Sequence, residues 1–170
     1  AHENYALMIK GFVSVNAGLI VNLLERLSVH FADFAIAPCE ATLAYYRAMG
    51  VKKTVVVGNW KDPKVYTFSP ETILKKRKEL QIDDRLVITY IGALSSERFV
   101  LPLIEAVTKR DNCFLILGGH GAQDDLIQQK ITHLNNVYFP GYIHPDDVPL
   151  LTSLSDIIYY GYQVNHEYGP

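Results

Sequence analysis

Cysteine is scarce in this sequence: Cys39 and Cys113 are the two in 170 residues. Each sits in an apolar run, Ala35-Ile36-Ala37-Pro38-Cys39 and Cys113-Phe114-Leu115-Ile116-Leu117. Their separation offers neither metal-ligand spacing nor the dense framework of a disulfide-stapled secreted domain. Buried, reduced thiols in a cytosolic protein are the expectation. A surplus of one charge sign is also missing. The formal net charge is -2, and basic residues are scattered apart from Lys75-Lys76-Arg77-Lys78. No broad cationic face is then available to neutralise a nucleic-acid backbone, which excludes nucleic acid as the expected partner. Long hydrophobic runs are absent too: Lys10, Asn16 and Asn22 interrupt the apolar residues between Ala6 and Leu24, leaving stretches too short to span a bilayer. The start, Ala1-His2-Glu3-Asn4, lacks an initiating Met and the layout of a signal peptide, so it reads as a cut end, as does the stop at Gly169-Pro170.

What is present is enough apolar content, 49%, for one soluble domain-sized core. Leu19, Ile20, Leu23, Leu24 and Leu27 recur at three and four residues, predicting an amphipathic helix over 16–30 with a core or interface face. A short apolar strand over 32–38 follows, then a helix from about Glu40 to Met49 closed by Gly50, and a strand over 54–57. Gly58 to Ser69 has no apolar period and is the candidate linker. Beyond it strand and helix alternate. Ser69 caps a helix with Pro70 at its first position, running through Leu80. Strands are expected at 86–91, 113–117, 137–139 and 156–160, with helices at Ser96–Lys109, Gln123–His133 and Asp146–Leu154, the last capped by Asp146. Strands that are apolar throughout are buried on both faces, which predicts an α/β fold with a doubly wound, Rossmann-like parallel sheet. Ligands of such sheets bind outside the carboxyl ends of the strands, so four loops carry the candidate chemistry.

The first loop is Gly92-Ala93-Leu94-Ser95-Ser96-Glu97-Arg98-Phe99. Gly92 permits a sharp turn, and Ser95 or Ser96 can cap the following helix. Arg98 falls in that helix's first turn, where a cation opposes the dipole. A bound phosphate would account for it, and so would pairing with Glu97 or solvent. The second loop, Gly118-Gly119-His120-Gly121, is too short for the dinucleotide fingerprint and has no phosphate-loop Lys-Ser/Thr. Its glycines serve a tight strand-to-helix turn or a close ligand approach. His120, His144 and Asp146 lack recognisable ligand spacing, so no metal is expected. The third loop begins Pro140-Gly141-Tyr142-Ile143, and the fourth runs from Gly161 to Pro170 with Glu167 as its only acid.

In order, Tyr90-Ile91-Gly92-Ala93-Leu94-Ser95-Ser96-Glu97-Arg98, Leu117-Gly118-Gly119-His120-Gly121, Asn136-Val137-Tyr138-Phe139-Pro140-Gly141, Ser155-Asp156-Ile157-Ile158 and Glu167-Tyr168-Gly169-Pro170 form a recognisable series. From about Leu23 onward the chain resembles the group-one, or family-four, retaining glycosyltransferases of GT-B architecture, mainly their C-terminal donor-binding domain. Ala32-Asp33-Phe34-Ala35-Ile36 and Val57-Gly58-Asn59 resemble the family's domain crossover. The resemblance implies residues 1–58 as the end of an N-terminal domain with crossover helices. It implies 59–170 as a nucleotide-sugar-binding Rossmann-like domain, truncated at its C-terminus.

By position, Arg98 matches the family's diphosphate-contacting basic residue and Glu167 the first acid of its Glu-x7-Glu motif, near the sugar hydroxyls and leaving phosphate. The resemblance implies donor contacts from Gly92, Gly118, Gly119, Gly141, Tyr142, Ile143, Tyr168 and Gly169. Of these, the backbone at Tyr142 and Ile143 would pair with the base. Two residues depart from the pattern: Ala93 stands where the family often has Arg, and Phe99 replaces the usual Gly. The implied activity is sugar transfer from a nucleotide-sugar donor with retention of configuration, without a metal or other cofactor, in the cytoplasm or peripherally at the inner membrane face. The acceptor, lipid-linked or a polysaccharide, and the usual catalytic His belong to a missing N-terminal domain, so the chain alone should be inactive. A nucleotide-sugar epimerase of the same architecture and a non-catalytic Rossmann-like nucleotide-binding module are the alternatives.

Overall fold

A computed structural model describes residues 15–82 and 84–161. They belong to two compact units, divided between Lys61 and Asp62.

The first unit contains α1 (Val15–His30), β1 (Ala35–Ala37), α2 (Glu40–Ala48) and β2 (Thr54–Val56). The two strands pair in parallel, Ala35 with Thr54 through Ala37 with Val56. Leu43 of α2 is fully buried, and the Tyr45 hydroxyl donates to Glu25 of α1 at 2.9 Å. The expected α1 stripe exists as spacing but not as a covered face: Leu19, Ile20, Leu23, Leu24 and Leu27 are 51–66% exposed. A two-stranded sheet has too little surface to cover it. Cys39 is half-buried against the Thr42 hydroxyl, whereas Cys113 is buried as expected.

The second unit holds a 3-10 turn (Pro63–Tyr66), α3 (Pro70–Glu79), β3 (Leu86–Ile91), a 3-10 turn (Ser96–Arg98) and α4 (Val100–Thr108). Next come β4 (Cys113–Gly118), α5 (Asp124–Ile131), β5 (Val137–Tyr138), α6 (Val148–Ser153) and β6 (Ile157–Ile158). The order across the sheet is β5-β4-β3-β6, with every pair parallel. Ser69 starts α3 by accepting from the Thr72 amide at 3.3 Å, with Pro70 at the first helical position.

Side chains of β4 alternate between two cores because successive residues of a strand point to opposite faces. Cys113, Leu115 and Leu117 pack with Leu103, Ile104 and Val107 of α4 and Ile127 and Ile131 of α5. Phe114 and Ile116 face Ile82, Leu151 and Leu154, beside Ile73 of α3 and Val148 of α6. Helices therefore cover both faces, and all six residues of β4 are buried. Burying each of Leu115, Ile116 and Leu117 fully contributes roughly 1.5–3 kcal/mol. This central strand is the main anchor for the loops at its end.

The structure corrects the expected elements in several places. The helix expected over Ser96–Lys109 is broken by Phe99, whose φ of 51° is left-handed, so Arg98 ends a 3-10 turn instead of lying in the first turn of α4. The dipole argument for a phosphate beside Arg98 loses its force accordingly. Asp146 does not cap α6: the cap position is Asp147, without a side-chain bond, and the Asp146 amide instead donates to His144 Nδ1 at 3.4 Å. Ser95 makes no cap bond either. The last strand shrinks from 156–160 to Ile157–Ile158, because β6 is an edge strand that meets only Ile88 and Thr89. Its residues are exposed, so continuous burial holds for β4 and not for β6. The expected linker itself contains the Pro63–Tyr66 turn, started by Asp62 accepting from the Lys64 amide. Among the described residues no helix is long and apolar enough to cross a membrane.

Candidate functional site at the carboxyl edge of the sheet

Strands β3 and β6 lie side by side, but the chain leaves β3 toward α4 on one face and reaches β6 from α6 on the other. Such a reversal opens a crevice at the carboxyl ends, the usual ligand position in open α/β sheets. Arg98 sits at this crevice. A Cβ placed on Gly161, just beyond β6, would stand 2.3 Å from the Arg98 carbonyl oxygen, so the loop after β3 and the end of β6 are in direct contact.

The loop after β3 is held from below. The Tyr90 hydroxyl donates to the Ala93 carbonyl at 2.6 Å, and Tyr90 meets Tyr159 edge to face at 6.0 Å. Burial pushes the Tyr90 phenol above its ordinary value, while the positive charge of Arg98 acts in the opposite direction. The Glu97 carboxyl is held below the usual carboxylate range, first by the Ser95 hydroxyl and then by its own amide, with a minor contribution from Arg98. Among the described residues the amides of Ala93, Ser95 and Ser96 donate no hydrogen bond. Arg98 belongs to the same short loop as these amides, and guanidinium and amide N–H groups are the donors that an oxyanion accepts from.

Three neighbouring loops are bonded together. The Gly92 amide donates to the Gly118 carbonyl at 3.0 Å, Leu94 to His120 at 3.0 Å, and Gly119 to Gly141 at 2.8 Å. Gly119 has φ +136°, and a Cβ there would lie 1.8 Å from the Gly92 carbonyl oxygen. Glycine is therefore required for the first two loops to touch. A Cβ on Gly118 would lie 2.0 Å from Ile143 Cδ1, and Ile143 itself is buried in the core. Tyr142 beside it is exposed. The amides of Tyr142 and Ile143 also make no hydrogen bond among the described residues.

Gly92, Arg98, Gly118, Gly119, Gly141, Tyr142 and Ile143 thus share one edge, distributed over three loops. Glu167, Tyr168 and Gly169 lie outside the described residues. Two motif residues do different work at the opposite edge. Buried Asn136 donates to the Cys113 carbonyl at 3.3 Å, and Asp156 accepts the Val87 amide at 2.7 Å, tying β6 to β3. Their position just before a strand, at the amino edge, is the signal that separates them from ligand residues. An open cavity of about 460 Å³ lies at that same amino edge, lined by Leu86, Ile88, Val107, Cys113 and Ile157 among others. It is apolar and remote from the loops, so it is not the site described here.

In the sequence His120 showed no metal-ligand spacing with His144 and Asp146. In the structure it is not alone: Nδ1 bonds Asp124 Oδ2 at 2.8 Å, and Asp124 Oδ1 accepts the Gly121 amide at 2.7 Å. No local pattern signalled this pair, because His120 lies in the loop before the helix that begins at Asp124.

No protein-family model matches this sequence, and no curated protein matches it. Solved structures do. Anabaena HepE in complex with UDP superposes with a TM-score of 0.69 over 91% of this chain and 44% of its own, at 25% identity. The HepE complex with UDP-glucose gives 0.68 over 87% and 43%, at 28% identity. Sucrose-phosphate synthase from Thermosynechococcus elongatus gives 0.62 over 93% and 43%, at 16% identity, and WaaG, a glycosyltransferase involved in lipopolysaccharide biosynthesis, gives 0.52 over 96% and 60%, at 16%. The fold is that of half a GT-B glycosyltransferase. The chain spans less than half the length of the HepE structures it matches. Parallel sheets with flanking helices are the shared feature, as the sequence led us to expect.

Proposed function

We propose that this chain is the donor-binding part of a retaining glycosyltransferase of family four, taking a nucleotide-sugar whose diphosphate sits at the β3–β6 crevice. One observation carries the proposal: Arg98 and uncommitted amides stand at the switch point of a sheet whose fold-mate, HepE, is known in complex with UDP and UDP-glucose. UDP is accordingly the first nucleotide to test.

When the sugar departs, the anomeric carbon gains positive character and negative charge builds on the diphosphate. Groups already aimed at that charge lower the barrier most, because they need no reorganisation. Arg98 serves as the fixed cation, the Ser95 and Ser96 amides add donors, and the reaction in this reading uses no metal. By its match to the first acid of the family's Glu-x7-Glu motif, Glu167 is assigned to the sugar hydroxyls and leaving phosphate in this reading, and the acceptor attacks on the face from which the phosphate leaves. The acceptor site and catalytic histidine come from an N-terminal domain, so the chain alone binds nucleotide weakly and does not turn over. Cytoplasmic placement, with a lipid-linked or polysaccharide acceptor, belongs to the same proposal.

Ala93 favours a second reading, a non-catalytic nucleotide-binding module, because it removes the arginine the family often carries there. Calorimetric titration of UDP, GDP and ADP tests the choice. UDP should bind, and Arg98→Ala should weaken it about 10–100-fold, the value of a charge-assisted hydrogen bond of about 1.5–3 kcal/mol. No binding by any nucleotide would overturn the donor-site proposal. Joining the chain to its N-terminal half and assaying UDP-sugar hydrolysis separates enzyme from binding module.

A further inference from the structure

We infer that Tyr90 and Tyr159 are positioning residues for the diphosphate: their phenols pin the two ends of the segment 93–99 and so hold Arg98 and the Ser95 and Ser96 amides in one arrangement. The inference rests on the donor-site proposal and adds two residues that act through this segment, not on the phosphates. Thr89 pairs with Ile158, so the next residues, Tyr90 and Tyr159, stand side by side near the carboxyl ends of β3 and β6. The Tyr159 amide donates to the Thr89 carbonyl at 2.8 Å, and the two rings meet edge to face. Tyr90 belongs to the core under α4, and Tyr159 packs against it. Their hydroxyls reach opposite ends of one segment. Tyr90 donates to the Ala93 carbonyl at 2.6 Å, and Tyr159 to the Phe99 carbonyl at 3.4 Å.

The two ends differ in how much support they need. At the start, Leu94 is fully buried and its amide donates to the His120 carbonyl at 3.0 Å, so the Tyr90 bond reinforces an entry that is already anchored. At the exit, Phe99 is left-handed with φ 51°, a conformation that a phenylalanine holds only when its surroundings impose it. The Phe99 carbonyl accepts both the Leu103 amide, at 3.2 Å, and the Tyr159 hydroxyl, so helix and phenol together fix the backbone straight after Arg98. Between the pinned carbonyls, the Ser95 and Ser96 amides donate no hydrogen bond among the described residues. Burial raises the Tyr90 phenol while the Arg98 charge lowers it, so guanidinium and phenol are within electrostatic reach of each other. Donors held at both ends of their segment meet the charge on a leaving diphosphate without first reorganising.

The test uses the 170-residue chain, with inorganic pyrophosphate and UDP as probes in calorimetric titration. Tyr90→Phe and Tyr159→Phe keep the rings and remove only the hydroxyls. Each should weaken both probes about 3-fold, and the double variant about 10-fold, in keeping with the loss of one or two neutral hydrogen bonds. Phe99→Gly supplies a residue that adopts the left-handed conformation unaided, so adding Tyr159→Phe to it should cost no further affinity. Asn136→Ala damages the fold at the opposite edge and should leave both affinities unchanged, which separates positioning from stability. In NMR spectra the Ser95 and Ser96 amide resonances should move in the double variant before any probe is added. Wild-type affinity in the double variant, with Arg98→Ala still impaired, would overturn the inference and leave the donor site standing, as would an equal loss in Asn136→Ala. A full Tyr159→Phe loss in the Phe99→Gly background would remove Tyr159 from the role. Failure of the wild-type chain to bind either pyrophosphate or UDP would overturn both the inference and the donor site.

Discussion

The two edges of the second unit's sheet are built from the same strands and do opposite things. At the amino edge, polar motif residues turn inward. Asn136 is buried against the start of β4 and Asp156 clamps the edge strand to β3, so their bonding capacity is used by the fold. At the carboxyl edge the glycines turn inward instead, letting three loops bond to one another, while Arg98, His120 and Tyr142 stay partly or largely exposed. Residues of one family-like motif series therefore divide by edge: those before a strand hold the sheet, and those after it frame the site.

The strongest way to break this comparison is at Gly119. Gly119→Ala forces a Cβ toward the Gly92 carbonyl at a strained φ, and should destabilise the unit by roughly 2–6 kcal/mol, combining backbone strain with overpacking. Urea unfolding measures it, and a loss below 1 kcal/mol would mean that the loops are not locked together as described. Next comes Asn136→Ala at the amino edge, which strips a buried donor from the Cys113 carbonyl and should cost about 1–3 kcal/mol. UDP affinity of the folded fraction should not change. A selective loss of affinity would show that the amino edge also serves the ligand.

The smallest effect concerns Tyr90. Burial raises its pKa, so the folded state favours the neutral phenol. Its contribution is complete below the ordinary phenol value of about 10 and is lost as pH rises through the higher folded value. Tyr90→Phe should flatten that alkaline decline and, by removing the bond to Ala93, cost about 0.5–1.5 kcal/mol at neutral pH. Thermal melts across alkaline pH give both quantities.

Much of the fold was legible beforehand because burial on two faces demands continuous apolar strands, as in Cys113-Phe114-Leu115-Ile116-Leu117. Ser69-Pro70 located the start of α3 for an equally local reason. The break at Phe99 was not legible, since a left-handed non-glycine residue is imposed by its surroundings and not by its own preference. The His120–Asp124 pair was hidden for another reason: four residues separate them across a loop-to-helix boundary, where helical spacing rules do not yet apply.

By itself the sequence determined which segments are strands and helices and that their sheet would be parallel, because periodicity and punctuation act over a few residues. Only the tertiary structure decided which motif residues face solvent at the carboxyl edge and which are consumed in the core. That choice depends on strand order, β5-β4-β3-β6, which brings residues some sixty positions apart, such as Arg98 and Gly161, into contact through pairings that no local pattern encodes.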